Sequence, residues 1–200
     1  MGMIKTQAVT TATDDAITLE EIKDHLRIER GETIDDEYLE RLRDVATEHV
    51  QDLTGLKLIT SVWYSYRNDW PDNDHFDLPF APLQSVASTG ITYTPSSGGS
   101  LKFSSTEWQQ DSVSIPPRVV LRYDDDWPSE QLDINNPIRV KATYGYTTSG
   151  KIPASLKHAM LLMIGNWFEH RESIVMGVSP AEIPRYIMSM IDRYKVRFLR

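Results

Sequence analysis

Two short stretches of this sequence set side chains together that could do chemistry. Glu169-His170-Arg171-Glu172 places an imidazole between carboxylates, the raw material of general acid–base work. Asp124-Asp125-Asp126 gathers three carboxylates where a cation could sit. Neither has the company it needs. The aspartate triplet runs straight into Trp127-Pro128, without the alternating ligands and distal Glu of a calcium loop, and the five histidines form no His-x-x-x-His pair. The chain has no cysteine, which removes thiolate nucleophiles, disulfides and Cys-based zinc sites together. A nucleophile elbow, a phosphate loop and a dinucleotide fingerprint are also missing. No catalytic, cofactor-binding or metal-ligating residue is assigned, and the chain is not expected to be an enzyme.

Charge is the more telling pattern. Glu40, Asp44, Glu48 and Asp52 recur every four residues, an acidic row on one helix face whose members repel by a few tenths of a kcal/mol per pair. Such a row is ordinarily a solvated face, moderated here by Arg41 and Arg43. Arg193, Lys195, Arg197 and Arg200 form a basic counterpart after the last apolar helix positions, where the helix dipole already favours cations. Residues 1–60 hold fourteen Asp or Glu against seven Lys or Arg, whereas residues 185–200 hold five basic side chains against Asp192 alone. The net charge of -8 argues against sequence-independent binding of nucleic acid, which relies on many cations displacing counterions from phosphates. Trp63, Trp70, Tyr64, Tyr66, Tyr144 and Tyr146 could form an aromatic binding face, although cross-strand packing is the commoner use of such residues.

These residues must be positioned by a folded core. With 200 residues, 40% of them hydrophobic, the chain can bury one sizeable core or two small ones. No apolar run approaches the roughly 20 residues of a membrane span, and the opening residues lack the apolar stretch of a signal peptide. A cytoplasm-like compartment is expected.

Thr18-Leu19-Glu20-Glu21 reads as a capping box, starting a short helix with Leu19, Ile22 and Leu26 on one face and an end near Arg27 or Ile28. A second helix, capped by Asp35 or Asp36, carries the stripe Tyr38, Leu39, Leu42, Val45, Ala46, Val50 and Leu53 and stops at Gly55. From about residue 60 to 148 the apolar period changes to two. Val62, Tyr64 and Tyr66 alternate with Ser61, Ser65 and Arg67, a polar face broken by Trp63. Ile138, Val140, Ala142, Tyr144 and Tyr146 alternate cleanly with Arg139, Lys141 and Thr143. Strands are also expected at residues 86–93, 101–103 and 119–123, and eight of the eleven prolines lie between Pro71 and Pro137, which excludes long helices there. Helical pattern returns after Pro153, through Leu156, Ala159, Met160, Met163, Ile164 and Trp167. A last helix is signalled by Ser179-Pro180-Ala181-Glu182, with Pro184 able to restrict its start, and places Ile183, Tyr186, Ile187, Met190, Ile191, Tyr194 and Phe198 on one side.

The expected fold is α+β: N- and C-terminal helices packed as a small helical bundle with an inserted antiparallel β-rich segment. In residue terms this is an N-terminal arm at 1–16, a helical domain from 17–58 and 151–200, and an inserted β-rich domain at 59–150.

The order of motifs adds a further indication. Thr18-Leu19-Glu20-Glu21-Ile22-Lys23 with His25-Leu26-Arg27, Val50-Gln51-Asp52-Leu53-Thr54-Gly55, Leu78-Pro79, Pro82-Leu83-Gln84-Ser85-Val86, Trp127-Pro128, Tyr144-Gly145-Tyr146 and the run from Ile152-Pro153 to Glu172 together resemble the phage and prophage head-tail connector proteins, also called head completion or adaptor proteins. The resemblance spans most of residues 18–195. It implies a structural subunit that assembles head to tail into a ring, dodecameric in the virion. That ring would join the portal protein to tail or stopper proteins and continue a channel for DNA, which passes without sequence-specific binding. It implies a virion protein assembled in the host bacterial cytoplasm, with no cofactor and no membrane. The acidic row would then meet the basic C-terminal segment of a neighbouring subunit or line the channel, and the strands would decorate the ring or meet the next protein. The alternatives are a β-rich ligand- or protein-binding module with helical flanks and, with least support, a hydrolase using scattered carboxylates.

Overall fold

The computed structural model describes residues 5–10, 14–170 and 184–196. Among these residues four α-helices are formed: α1 (Leu19–Leu26), α2 (Asp36–Thr54), α3 (Ala154–Glu169) and α4 (Arg185–Asp192). Thr18 Oγ1 accepts from the Glu21 N–H at 3.2 Å while the Thr18 N–H donates to Glu21 Oε2 at 2.9 Å, so the capping box closes as its spacing predicts. Burial pushes the Glu21 carboxyl up, but hydrogen bonds from Lys157 and Thr18 bring it below its ordinary value. The Lys157 contact, at 2.5 Å, also ties the start of α1 to α3. Helix α1 stops at Arg27 and α2 at Gly55, both with positive φ, and the Gly55 N–H donates to Gln51 O at 2.9 Å. Pro184 immediately precedes α4, the restriction its ring imposes. Ser179 to Ile183 and Phe198 lie outside the described residues.

The helices share one core, in which Ile22, Leu39, Ala46 and Val50 meet Leu156, Ala159, Met160, Met163, Ile164, Ile187 and Ile191. Helix α3 is its centre, as its nearly all-round apolar sequence requires. Each large side chain sealed there contributes about 1.5–3 kcal/mol.

The strands are β1 (Lys5–Thr10), β2 (Ser61–Arg67), β3 (His75–Asp77), β4 (Leu83–Tyr93), β5 (Leu101–Lys102), β6 (Trp108–Asp111), β7 (Arg118–Leu121) and β8 (Ile138–Tyr144). They form a five-stranded sheet in the order β1-β2-β8-β4-β5 and a three-stranded sheet in the order β3-β7-β6, with every pairing antiparallel. A second core, including Phe76, Ile91, Phe103, Trp108, Val119, Ile138 and Val140, fills the β-rich part. The N-terminal arm supplies β1, which pairs with β2, and its last residue, Ala16, is buried among the helices.

Strand β2 turns the opposite way from its sequence pattern. Its register sets Ser61, Trp63 and Ser65 opposite Tyr144, Ala142 and Val140, the buried side of β8. Ser61 and Ser65 are therefore buried, and Val62, Tyr64 and Tyr66 lie on the outer face beside Thr143, Lys141 and Arg139. Small serines fit under the core without disturbing it, and tyrosines tolerate a half-wet face through their hydroxyls.

The two cores join where the chain passes between them. Gly145 carries φ +108°, a hypothetical Cβ there would stand 2.2 Å from Ile59 O, and its N–H donates to Pro82 O at 2.9 Å. Parallel bridges link Leu56 to Ala81 and Ile59 to Tyr146.

Candidate assembly surface

Helix α2 turns Leu39, Ala46 and Val50 into the core, and its period then forces Glu40, Asp44, Glu48 and Asp52 outward; all four are exposed. The nearby cations neutralise only part of that stripe. Arg41 pairs with Glu37 at 2.7 Å, while Arg43 bridges Asp44 at 3.0 Å and Asp15 at 2.7 Å. Among the described residues, Glu40, Glu48 and Asp52 make no ion pair. Lys57 lies beyond the helix end with its ammonium over the rings of Trp63, at 4.0 Å, and Phe80, at 4.2 Å. Burial holds that lysine below its ordinary pKa, against the opposing pull of Asp52 and Glu48. The row is a continuous, largely uncompensated acidic surface.

The basic segment folds back on its own chain. Arg193 Nη2 donates to Ser155 Oγ at 2.8 Å, Lys195 pairs with Asp192 at 2.6 Å, and the Val196 N–H donates to Thr54 O at 2.7 Å. The described part of this segment thus seats on the end of α2 and the start of α3. The structure gathers the four acids on one helix and Arg193 with Lys195 at another place; Arg197 and Arg200 lie outside the described residues.

In the two stretches singled out for their chemistry, the contacts described are with backbone carbonyls. His170 Nδ1 lies 2.9 Å from Asn166 O at the end of α3, and Asp125 donates its N–H to Arg122 O at 3.2 Å in a turn where Asp124 has φ +63°. Arg171 and Glu172 lie outside the described residues. Most of the aromatic residues pack: Trp70 stacks on Trp127 at 5.1 Å, Trp63 meets Phe80 edge-on at 5.0 Å, and Tyr144 is buried. Tyr64 and Tyr66 lie half-buried against each other on the outer face, their ring centroids 6.3 Å apart.

Two features escape sequence reasoning. Lys23 is buried, with its ammonium 2.6 Å from Asp36 Oδ1 and donating to Glu32 O at 2.6 Å and Arg30 O at 3.3 Å. It clamps the α1–α2 turn. The other is a cleft of about 620 Å³ bordered by residues 66–73 and 75–77, where Arg67 lies over the Phe76 ring at 4.9 Å with Nε and Nη1 buried and without hydrogen-bond partners. The only sequence signal for it is the loop at 68–74, rich in Asp and Asn around Pro71, which marks a turn rather than a cleft.

A family model described as "Phage gp6-like head-tail connector protein" matches residues 16–117. Among curated proteins no sequence match is found. Among solved structures, the chain is similar to one in "Neck of empty GTA particle computed with C6 symmetry", with a TM-score of 0.78, 20% identity and coverage of 98% of this chain and 97% of that chain. A second similar chain is in "Virion of native gene transfer agent (GTA) particle", with a TM-score of 0.76, 18% identity and the same 98% and 97% coverage. A third, in "Neck of native GTA particle computed with C12 symmetry", has a TM-score of 0.74, 19% identity and again 98% and 97% coverage.

Proposed function

The chain belongs to the phage gp6-like head-tail connector family, and from that premise we propose that it is a ring subunit at the junction of head and tail, joining the portal to tail or stopper proteins and continuing the DNA channel. The observation that carries this reading is the family match over residues 16–117, which takes in α1, α2 and much of the β-rich part. The likeness in fold to chains of C6- and C12-symmetric neck structures supports a cyclic assembly, and we read the virion ring as dodecameric. Its place is the virion, after assembly in the host bacterial cytoplasm, and its work is structural rather than enzymatic.

Within this reading the helical part, 17–58 with 151–200, and the β-rich part at 59–150 act as two units. The row Glu40, Asp44, Glu48 and Asp52 supplies one side of a contact between subunits or faces the channel. Arg193, Lys195, Arg197 and Arg200 are candidate contacts at the chain end. An acidic channel wall would let DNA slide without adhering, because like charge gives phosphates nothing to exchange for their counterions.

Electron microscopy of the purified protein, alone and mixed with portal protein, tests the reading, and rings or portal-bound rings are expected. A chain that stays monomeric at high concentration and does not bind portal sinks it. The cleft beside Arg67 favours a second reading, a β-rich module that binds a ligand or protein. Trp70 borders that cleft, so a titration of tryptophan fluorescence against candidate ligands separates the two.

A further inference from the structure

The five strands of the larger sheet, β1, β2, β4, β5 and β8, contain no Asp or Glu, in a chain that has 29 of them. They do contain Lys5, Arg67, Lys102, Arg139 and Lys141, and all but Arg67 fall on the outer face. Pairing aligns Lys5, Tyr66, Arg139, Thr92 and Lys102 in one line straight across the sheet, with Gln7, Tyr64 and Lys141 in the next. Among the described residues none of the four outer cations is in an ion pair. Lys5 Nζ donates to the neutral Asn136 Oδ1 at 3.0 Å, and the Arg139 guanidinium lies over the Tyr64 ring at 4.8 Å.

We propose that this face receives the acidic row of α2 from a second copy of the chain, making the head-to-tail contact of the ring; the inference rests on the ring reading above. A closed ring needs two different patches that complement each other on every subunit. The molecule carries one acidic line in which only Asp44 is ion-paired, with Arg43, and one basic line without ion pairs among the described residues. Their lengths agree: Glu40 to Asp52 spans about 18 Å at 1.5 Å per residue, and four strand spacings of about 4.8 Å carry the line from Lys5 to Lys102 over about 19 Å. Tyr and Arg are the side chains enriched at protein interfaces, and Tyr64, Tyr66 and Arg139 stand together here. Arg193 and Lys195 already have partners in their own chain, which leaves the sheet as the better complement. Duplex DNA is less suited as the occupant, since it would approach a molecule with a net charge of -8.

The test uses two full-length variants. One reverses the sheet face, Lys102→Glu with Arg139→Glu; the other reverses the helix row, Glu40→Lys with Glu48→Lys. Each alone should self-associate at least about tenfold more weakly in sedimentation. Mixed, they should recover, because an intact row meets an intact sheet at one contact and a reversed row meets a reversed sheet at the next. Rings of the mixture would contain an even number of alternating subunits, countable by native mass spectrometry. Circular dichroism melts check folding, and Lys102→Glu alone, at an exposed position on the short β5, serves if the double variant does not fold. Wild-type assembly by the sheet variant, or a mixture that fails to recover, overturns the inference while leaving the ring reading intact. So does a sheet variant that keeps its rings and loses only binding to a short DNA duplex. A wild-type chain that forms no ring with or without portal removes both.

Discussion

An ammonium group taken out of water costs several kcal/mol unless every proton finds an acceptor, and Lys23 meets that demand with one carboxylate and two carbonyls. Lys23→Ala strands those acceptors and frees the turn between α1 and α2, so a loss of about 2–4 kcal/mol is expected in urea unfolding. Lys23→Met, which keeps the aliphatic stem but not the charge, should lose as much or nearly so; full stability in both variants would show that the clamp is idle. Asp111 is a second polar knot. Its carboxylate accepts from Ser114 Oγ at 2.5 Å, from the N–H groups of Ser114 and Val113 at 3.0 Å each, and from Arg118 Nε at 3.1 Å, which brings its pKa down to about 2. The folded value lies below the unfolded value near 4, so the contribution is complete above about pH 4 and is lost as pH falls through about 2. Solvent screening limits it to about 1 kcal/mol. Acid titration of stability should be flatter in Asp111→Asn over that window, and an unchanged slope would refute the assignment. The Thr18 cap was readable from sequence because its partner is three residues away; Lys23 was not, because two of its acceptors are backbone carbonyls that any residue could supply.

At the scale of elements, legibility followed how locally each signal is written. All four helices were legible, since the Thr18 cap of α1, the Gly55 stop of α2 and the apolar spacing of each helix lie within a single segment, although the cap expected of the Asp35 side chain on α2 does not form. Strands β3 and β6 were not. They are three and four residues long and owe their existence to pairing with β7, which no local pattern records. The reversed face of β2 has the same origin, because register against β8 outweighs the alternation of one strand. Gly145 is the place where elements of the two cores are pressed together. The structure explains the glycine by its positive φ and by Ile59 O at 2.2 Å from any added Cβ. Gly145→Ala combines backbone strain with a clash against backbone that cannot step aside, so a destabilisation of about 3 kcal/mol or more is expected by thermal unfolding. A melting temperature within a degree of wild type would mean that the junction yields more easily than its geometry indicates.

For the whole molecule, the arrangement of a helical bundle around inserted strands was legible because the apolar stripes of the helices at the two ends cannot be buried except against one another. Of the two charged lines proposed to meet, only one is legible: the acidic row shows in the sequence at one spacing, whereas the basic line crosses five strands drawn from residues 5 to 139 and exists only after pairing. Net charge and local charge then act at different ranges in assembly. Subunits of charge -8 repel over the whole molecule, and at about 0.01 M salt the screening length of roughly 30 Å leaves that repulsion intact. At about 0.1 M the length falls to roughly 10 Å, which suppresses repulsion between molecular centres but spares ion pairs in contact. At about 1 M it is roughly 3 Å, and contacts made by charge weaken too. Self-association should therefore rise from the lowest salt to the middle value and fall again at the highest, a maximum that sedimentation velocity can locate. Association that climbs without a turn through 1 M salt would mean that apolar burial holds the ring and that the charged lines merely decorate it.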